Sequence, residues 1–490
     1  MFCCTDLFLP RWLPALGLLL LTACHGSKPT VFPSPLPTQP SATVREIAER
    51  FDVVCPPGPH GARVASVISP RFGLPVFSVP SASFPIELLA RGPKPALVAA
   101  LAAPSLDDQA AQRCLSAAPG SQCVPLVLAD VSSTDIAGTG FATLRATATA
   151  AGVGVGGWDL VVQSGSDPPE RLHRSVWIEP SDPSLPGPLR IVHLSDLHLG
   201  KHPGTTDGLL GSLKAAIQRV NAEKPDLVVL TGDVVEDGLQ EEWHKRAKTE
   251  LLAITAPLAI VLGNHDYAHF PKIRSPDKAP DGYFAFSREF HSLRRYVFAY
   301  HGWDFIGFDS GPSVFAVRVL TRGVDKETVG WLGQRVEDAA NHGRKGVVLF
   351  SHAPTRTAPV HAPDSEVSGL CGHMLEGRQQ IEQIIETGAE RGLRMVHLSG
   401  HTHWLELHEL RPQARGGEDR WQKRDDGNVC GVVPGGALLL NSPSATQVTF
   451  HTVARGNRSG FGVLKLDGDK PVVETLLFDR AGSGGKCSLP

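Results

Sequence analysis

Five short apolar runs in the second half of the chain each end on polar side chains. LRIVHLSDLHLG, Leu189 to Gly200, is an apolar run followed by Asp196 and His198, and PDLVVLTGD ends at Asp233. PLAIVLGNHD ends at Asn264, His265 and Asp266, KGVVLFSHAP carries His352, and LRMVHLSGHTH ends at His401 and His403. Runs of this length, rich in Val, Ile and Leu, read as β-strands. Between them the apolar positions change to helical spacing. Leu209, Leu210, Leu213, Ala216, Ile217 and Val220 form one helical stripe, and Trp331, Leu332 and Val336 form another ahead of the His352 strand. Residues 376–392, EGRQQIEQIIETGAERG, predict a third helix ahead of the last run. Strand and helix in alternation predict an α/β domain with crossover helices. In such sheets ligands bind at the carboxyl ends of the strands, so the polar endings are expected to share one cleft. After Cys430, the segments ALLLNSPSAT, QVTFHTVA and FGVLKLDGD read as antiparallel strands that complete a second sheet.

The first half has a different rhythm. GARVASVIS, LPVFSVP, CVPLVLADV and WDLVVQSG are short β-type runs separated by Gly, Pro and Ser. GWDLVVQSG and RLHRSVWIEP read as an antiparallel pair, and the whole of 45–185 as a small all-β sandwich-like domain. PALVAALAA fits helix or strand equally. No catalytic constellation stands out in this region, which reads as a spacer or recognition module. SDPSLPGP, 181–188, is a Pro-rich boundary.

At the N-terminus, Arg11 precedes an apolar run from Trp12 to Ala23, which is short for a membrane span and of signal-peptide length. The run ends in Leu21-Thr22-Ala23-Cys24 and resembles a bacterial lipoprotein signal over 1–23, with lipid attached to Cys24. An ordinary cleaved signal and a short uncleaved anchor are the other readings. His25, rather than Asp, follows the Cys, and the resemblance therefore implies an outer-membrane destination in the bacterial envelope. Residues 24–44, rich in Pro, Ser and Thr, read as an extended tether.

Composition narrows the partners. A net charge of −3 excludes a general nucleic-acid binder, which would be basic, but not an anionic substrate held by metal cations. If Cys3 and Cys4 leave with the signal and Cys24 is acylated, Cys55, Cys114, Cys123, Cys371, Cys430 and Cys487 remain. An even set in an exported chain suggests disulfides. Cys114 and Cys123 are close enough for a local bridge, and Cys371 and Cys430 flank the GHTH strand.

The motifs DLH (Asp196–His198), GD (Gly232, Asp233), GNHD (Gly263–Asp266), SH (Ser351, His352) and GHTH (Gly400–His403) stand in one order. Together they resemble the calcineurin-like metallophosphoesterases over roughly residues 188 to 475. The resemblance implies a four-layer domain over 189–480, two sheets flanked by helices, and some relatives carry a sandwich ahead of it. It implies a dinuclear site whose metals clamp the attacking and leaving oxygens of a phosphoryl transfer. One ion takes Asp196, His198, Asp233 and His403; the other takes Asp233, Asn264, His352 and His401, with Asp233 bridging. The resemblance further implies that a hydroxide between the ions would attack phosphorus, that His265 would serve the leaving oxygen as general acid or stabiliser, and that Asp266 would orient the His265 ring. Mn, Fe, Zn or Co as a divalent pair all suit the donors. Purple acid phosphatases carry a ligating Tyr three residues after the bridging Asp; Glu236 stands there, so a tyrosinate site is not expected.

The implied function is metal-dependent hydrolysis of small-molecule phosphomonoesters or phosphodiesters by a lipid-tethered enzyme. A catalytically silent binding or scaffold lipoprotein is the alternative, but such relatives usually lose ligands and none is lost here. An exported nucleotidase would need a further C-terminal domain, for which the strands after residue 430 leave no room. His202, His269 and His373 are candidate pocket residues; Lys272, Arg274 and Lys278 could meet a phosphate but read first as a solvated charged loop. His193 and His397 lie inside strands and read as core or supporting residues.

Overall fold

The computed structural model describes residues 65–91, 96–118, 120–136, 141–165, 168–180, 188–200, 207–267, 279–314, 317–357, 373–411, 420–423, 431–432, 436–446, 459–467, 470–478 and 484–486. The signal-like run, Cys24, the tether, Cys55, Cys371, Cys430, Cys487, His202, His269 and the Lys272–Lys278 loop lie outside these residues, as does QVTFHTVA.

Leu189–Leu194, Leu227–Leu230 and Leu258–Ile260 pair in parallel. Ser459–Asp467 and then Lys470–Phe478 extend this sheet antiparallel on the other side of Leu189–Leu194. A second sheet runs in the order Arg295–Tyr300, Trp303–Phe308, Gly346–Phe350, Arg394–Ser399, Ala437–Asn441, Glu406–Leu410, Trp421–Lys423. Side chains alternate across each strand. Ile191, Val229 and Val261 meet Phe305, Val348, Val396 and Leu438 in a core between the sheets. Val192, Leu194, Val228 and Leu230 face outward to Leu213, Ile217 and Val220 of the helix Leu210–Ala222 and to Trp243. Val347, Leu349 and Met395 face Leu332, Val336, Ile381 and Ile385 of the helices Lys326–Asn341 and Arg378–Glu390. The result is four layers, helix–sheet–sheet–helix, which is why the strands are apolar on both faces at most positions, with His193 and His397 as buried exceptions. Each fully buried Val or Leu contributes about 1.5–3 kcal/mol, enough collectively to hold the strand ends rigid beneath the polar turns.

One expectation is corrected. Ala437–Asn441 is parallel to Arg394–Ser399, with Ser399 opposite Asn441, and lies in the opposite sheet from Ser459–Asp467. The physical reason is the return of the chain. After the GHTH turn, Glu406–Leu410 runs back down antiparallel to Ala437–Asn441. Ala437–Asn441 therefore runs up, and its end arrives beside the ligand-bearing turns.

The eight strands described between Ala65 and Ile178 form one sheet, with Ala65–Ser69 at one edge and Val76–Ser78 at the other. The 14-residue strand Cys123–Ile136 belongs to both halves and carries a bulge between Ala129 and Ser132. Phe84, Ile86, Leu88 and Leu144 of one half pack on Leu101, Trp158, Leu160 and Val176 of the other. PALVAALAA resolves as the strand Leu97–Ala102. GWDLVVQS and ERLHRSVWI pair antiparallel, and Cys114 is disulfide-bonded to Cys123.

The turn Arg71–Leu74 plugs this sheet into the four-layer domain. Phe72 enters the outer core and Leu74 the inner one. The Ile260 amide donates to the Gly73 carbonyl at 2.9 Å, which occupies the edge of the strand Leu258–Ile260. Arg71, 7% exposed, donates to the carbonyls of Phe290 (2.6 Å), Arg288 (2.8 Å) and Val67 (3.0 Å). Among the described residues no helix is long and apolar enough to cross a membrane.

Arg71→Ala would leave those buried carbonyls unpaired. We expect a loss of about 2–3 kcal/mol in unfolding free energy, measured by urea denaturation; unchanged stability would refute the plug as a structural joint.

Candidate metal centre

The polar turns after the strands are conformationally strained. Of the eleven non-glycine residues with positive φ among those described, five are Asp196 (55°), His198 (46°), Asp233 (50°), His401 (73°) and His403 (59°). Asp and His are among the types that tolerate this region, yet such backbone costs of order 1 kcal/mol or more per residue and persists only where its surroundings fix it. The glycines of the motifs let the turns close up. A Cβ on Gly263 would lie 2.1 Å from Asp233 Oδ1, and one on Gly400 would lie 1.7 Å from Ser195 Oγ.

These turns bring the side chains together. Asp196, His198 and His403 offer ligand atoms within 4.8 Å of one another, and so do Asp233, His352 and His401. The two groups adjoin through Asp233, whose Oδ2 is 3.6 Å from His198 Nε2 and 3.1 Å from His352 Nε2. Asn264 Oδ1 lies 2.9 Å from His352 Nε2. His403 Nε2 is 3.3 Å from Asp196 Oδ1 and 3.0 Å from His198 Nε2. Two nearly inaccessible carboxylates, four imidazoles and one amide oxygen form a donor set of intermediate hardness that suits divalent transition cations.

Electrostatics point the same way. Burial opposes charge on Asp233, but the His352, His265 and His198 rings outweigh it and hold the carboxyl below its usual range. Burial likewise opposes charge on Asp196, and His403 and His198 overcome it. His352 loses by burial and gains more from Asp233, ending at about 9. His265 is pushed down, chiefly by burial. The cleft thus stabilises anionic carboxylates and demands positive charge beside them.

Supporting bonds fix the ligands. His352 Nδ1 donates to the Thr231 carbonyl at 2.7 Å, and His193 Nε2 lies 2.9 Å from Thr231 Oγ1. His397 Nε2 meets Ser351 Oγ at 2.9 Å. His193 and His397 therefore support the turns from within the strands. His373 lies outside both ligand groups and is bonded through Nδ1 to the Met374 carbonyl.

The expected role of Asp266 is corrected. Its carboxylate accepts from the amides of Val234 (3.0 Å), Val235 (3.2 Å) and Gly263 (2.8 Å), tying the Asp233 turn to the Asn264 turn. Burial, aided by the Asp233 charge, raises it to about 7. The His265 ring is held instead by Glu236: His265 Nδ1 donates to its carbonyl at 2.8 Å, and the carboxylate Oε2 is 3.7 Å away. Glu236 Oε2 also accepts from His198 Nδ1 at 2.9 Å. Adjacency in sequence suggested Asp266, but the turn points its carboxylate back at the backbone. The signal for Glu236 was a carboxylate three residues after Asp233, in the same strand-end loop.

Comparison with known proteins follows the same residues. The model of the calcineurin-like phosphoesterase family matches residues 189–405. The chain is 30% identical over 233 residues to a probable cyclic nucleotide phosphodiesterase of Moraxella catarrhalis, covering 45% of this chain and 73% of that protein. It is 28% identical over 174 residues to a glycerophosphodiester phosphodiesterase, GpdQ, of Enterobacter lignolyticus, covering 34% of this chain and 56% of the relative. A purple acid phosphatase from yellow lupin superposes with a TM-score of 0.47 at 11% identity, covering 84% of this chain and 72% of that one. With its four layers, its paired ligand groups, the family match and the Moraxella relative, the chain belongs to the calcineurin-like phosphoesterases, hydrolases of phosphate esters.

Proposed function

We propose that this protein hydrolyses small-molecule phosphodiesters with two divalent cations, and monoesters more slowly. The observation that carries this reading is the junction of two ligand groups at Asp233, with His265 beside them. Asp196, His198, His403 and Asp233 would hold one cation; Asp233, Asn264, His352 and His401 would hold the other. Bound there, the cations supply Lewis-acid polarisation of the phosphoryl group and a water acidified toward neutral pH. The protein's own part is positional. The Asp233 carboxylate accepts from the His265 amide at 2.8 Å, which fixes that turn against the metal site. With Nδ1 committed to the Glu236 carbonyl, Nε2 of His265 serves the leaving oxygen. The phosphodiesterase names of two relatives favour diesters. A silent binding protein is disfavoured because no member of the ligand and His265 set is missing.

We also propose that the chain is an exported lipoprotein, anchored through Cys24 to the outer membrane and held off it by the 24–44 tether. The support is the Trp12–Ala23 run with Cys24 and His25.

Three outcomes test these readings. Purified protein supplied with manganese should hydrolyse bis-p-nitrophenyl phosphate faster than p-nitrophenyl phosphate, and chelator or Asp233→Asn should reduce both to background; full turnover in chelator sinks the reading. His265→Ala should lower kcat by about 10²–10⁴-fold with metal content intact, whereas Glu236→Ala should also weaken metal binding by about 10–100-fold. Equal metal affinity in the two variants would remove Glu236 from the support of His198. In a bacterial host, fatty-acid labelling should tag the chain and be lost in Cys24→Ser; persistent label would refute the anchor.

A further inference from the structure

The segment Asn441–Thr446 carries no metal ligand, yet it touches two of the ligand turns. Ala437–Asn441 ends beside Arg394–Ser399, and the Ser442 amide continues the contact to the Ser399 carbonyl at 2.8 Å. From there the chain crosses to the other sheet. The Ala445 amide donates to the Ser195 carbonyl at 3.0 Å. Ser444 Oγ donates to the Asp196 carbonyl at 2.6 Å, and Thr446 Oγ1 donates to the Leu197 carbonyl at 2.5 Å. Three consecutive carbonyls, those of Ser195, Asp196 and Leu197, thus receive three donors from one short segment. At its other end Asn441 Nδ2 donates to Thr402 Oγ1, between His401 and His403. Asn441, Ser442, Ser444, Ala445 and Thr446 are all buried.

The contacts fall where the backbone is strained. Asp196 and His198 flank Leu197 with positive φ, and His401 and His403 flank Thr402 in the same way. Without donors those buried carbonyls would favour relaxation of the turn. The Asp233, Asn264 and His352 turns of the other group are fixed differently: Asp266 binds the amides of Val234, Val235 and Gly263, and the Thr231 carbonyl binds His352; only His401 shares its turn with His403, its amide donating to the Asp196 carboxylate at 3.0 Å.

We propose that Asn441–Thr446 is a hydroxyl clamp that sets the geometry of the Asp196–His198–His403 cation site, with Ser444 and Thr446 as positioning residues for that site and not for the Asn264–His352–His401 site. The inference rests on the metal-site reading above and adds a residue-level control to it. A merely structural role would lower stability and leave cation affinity unchanged. The clamp instead acts on one of two affinities.

The test is manganese titration by calorimetry of the purified wild-type chain, Thr446→Val, Thr446→Ser and Ser444→Ala, each first treated with chelator and dialysed. Wild type should bind two ions. Thr446→Val should weaken one of them about tenfold, in the range for supporting residues of metal sites, and leave the other within about twofold. Thr446→Ser, which keeps the hydroxyl, should restore wild-type affinity. Ser444→Ala should reproduce the Val effect, and it replaces Thr446→Val if that variant does not fold. Equal weakening of both ions, no weakening, or failure of Ser to rescue overturns the clamp while leaving the metal site standing. A wild-type chain that binds no manganese overturns the metal-site reading, and the clamp with it.

Discussion

The structure depends on holding metal-type ligands on backbone that the chain would otherwise avoid. Asp196, His198, Asp233, His401 and His403 all adopt left-handed conformations, and each costs of order 1 kcal/mol or more. Native stability is itself only about 5–15 kcal/mol, so five such residues are a large concession. The sheets make it sustainable. The strands leading into the ligand turns are buried on both faces, and their ends are therefore fixed before the turns begin.

Fixed ends are not sufficient, because a turn between rigid strands still has alternatives. The remaining freedom is removed by hydrogen bonds from groups that do not themselves reach the cleft as ligands. Asp266 gathers three amides. Ser444 and Thr446 take carbonyls on the Asp196 side, and Thr231 takes His352. Glu236 joins His198 and His265, so a single residue supports both a ligand and the group proposed to serve the leaving oxygen. Preorganisation of this kind places the donors before any cation arrives, which reduces the cost of binding one.

The sheet over residues 65–178 takes part in the same economy of position. Its Arg71–Leu74 turn occupies the open edge of Leu258–Ile260, the strand that leads to Asn264 and His265. An edge strand with unpaired backbone is a liability; here the neighbouring sheet closes it and fills both cores with Phe72 and Leu74.

Much of this was legible in the sequence. The apolar runs and helical stripes indicated an α/β domain, because period and residue type are local properties of the chain, and the ordered motifs carried the family resemblance that implied the four layers. They also singled out Asp196, His198, Asp233, Asn264, His352, His401 and His403, whose position at strand ends follows from that period. Tertiary structure alone decided the rest. Ala437–Asn441 runs parallel to Arg394–Ser399 because the chain first returns through Glu406–Leu410, and nothing in the apolar run itself encodes direction. Asp266 serves backbone amides rather than His265 because turn geometry, not adjacency, aims a side chain. Ser444 and Thr446 meet residues almost 250 positions earlier in the chain, and a hydroxyl in a loop carries no local mark of the carbonyl it will find.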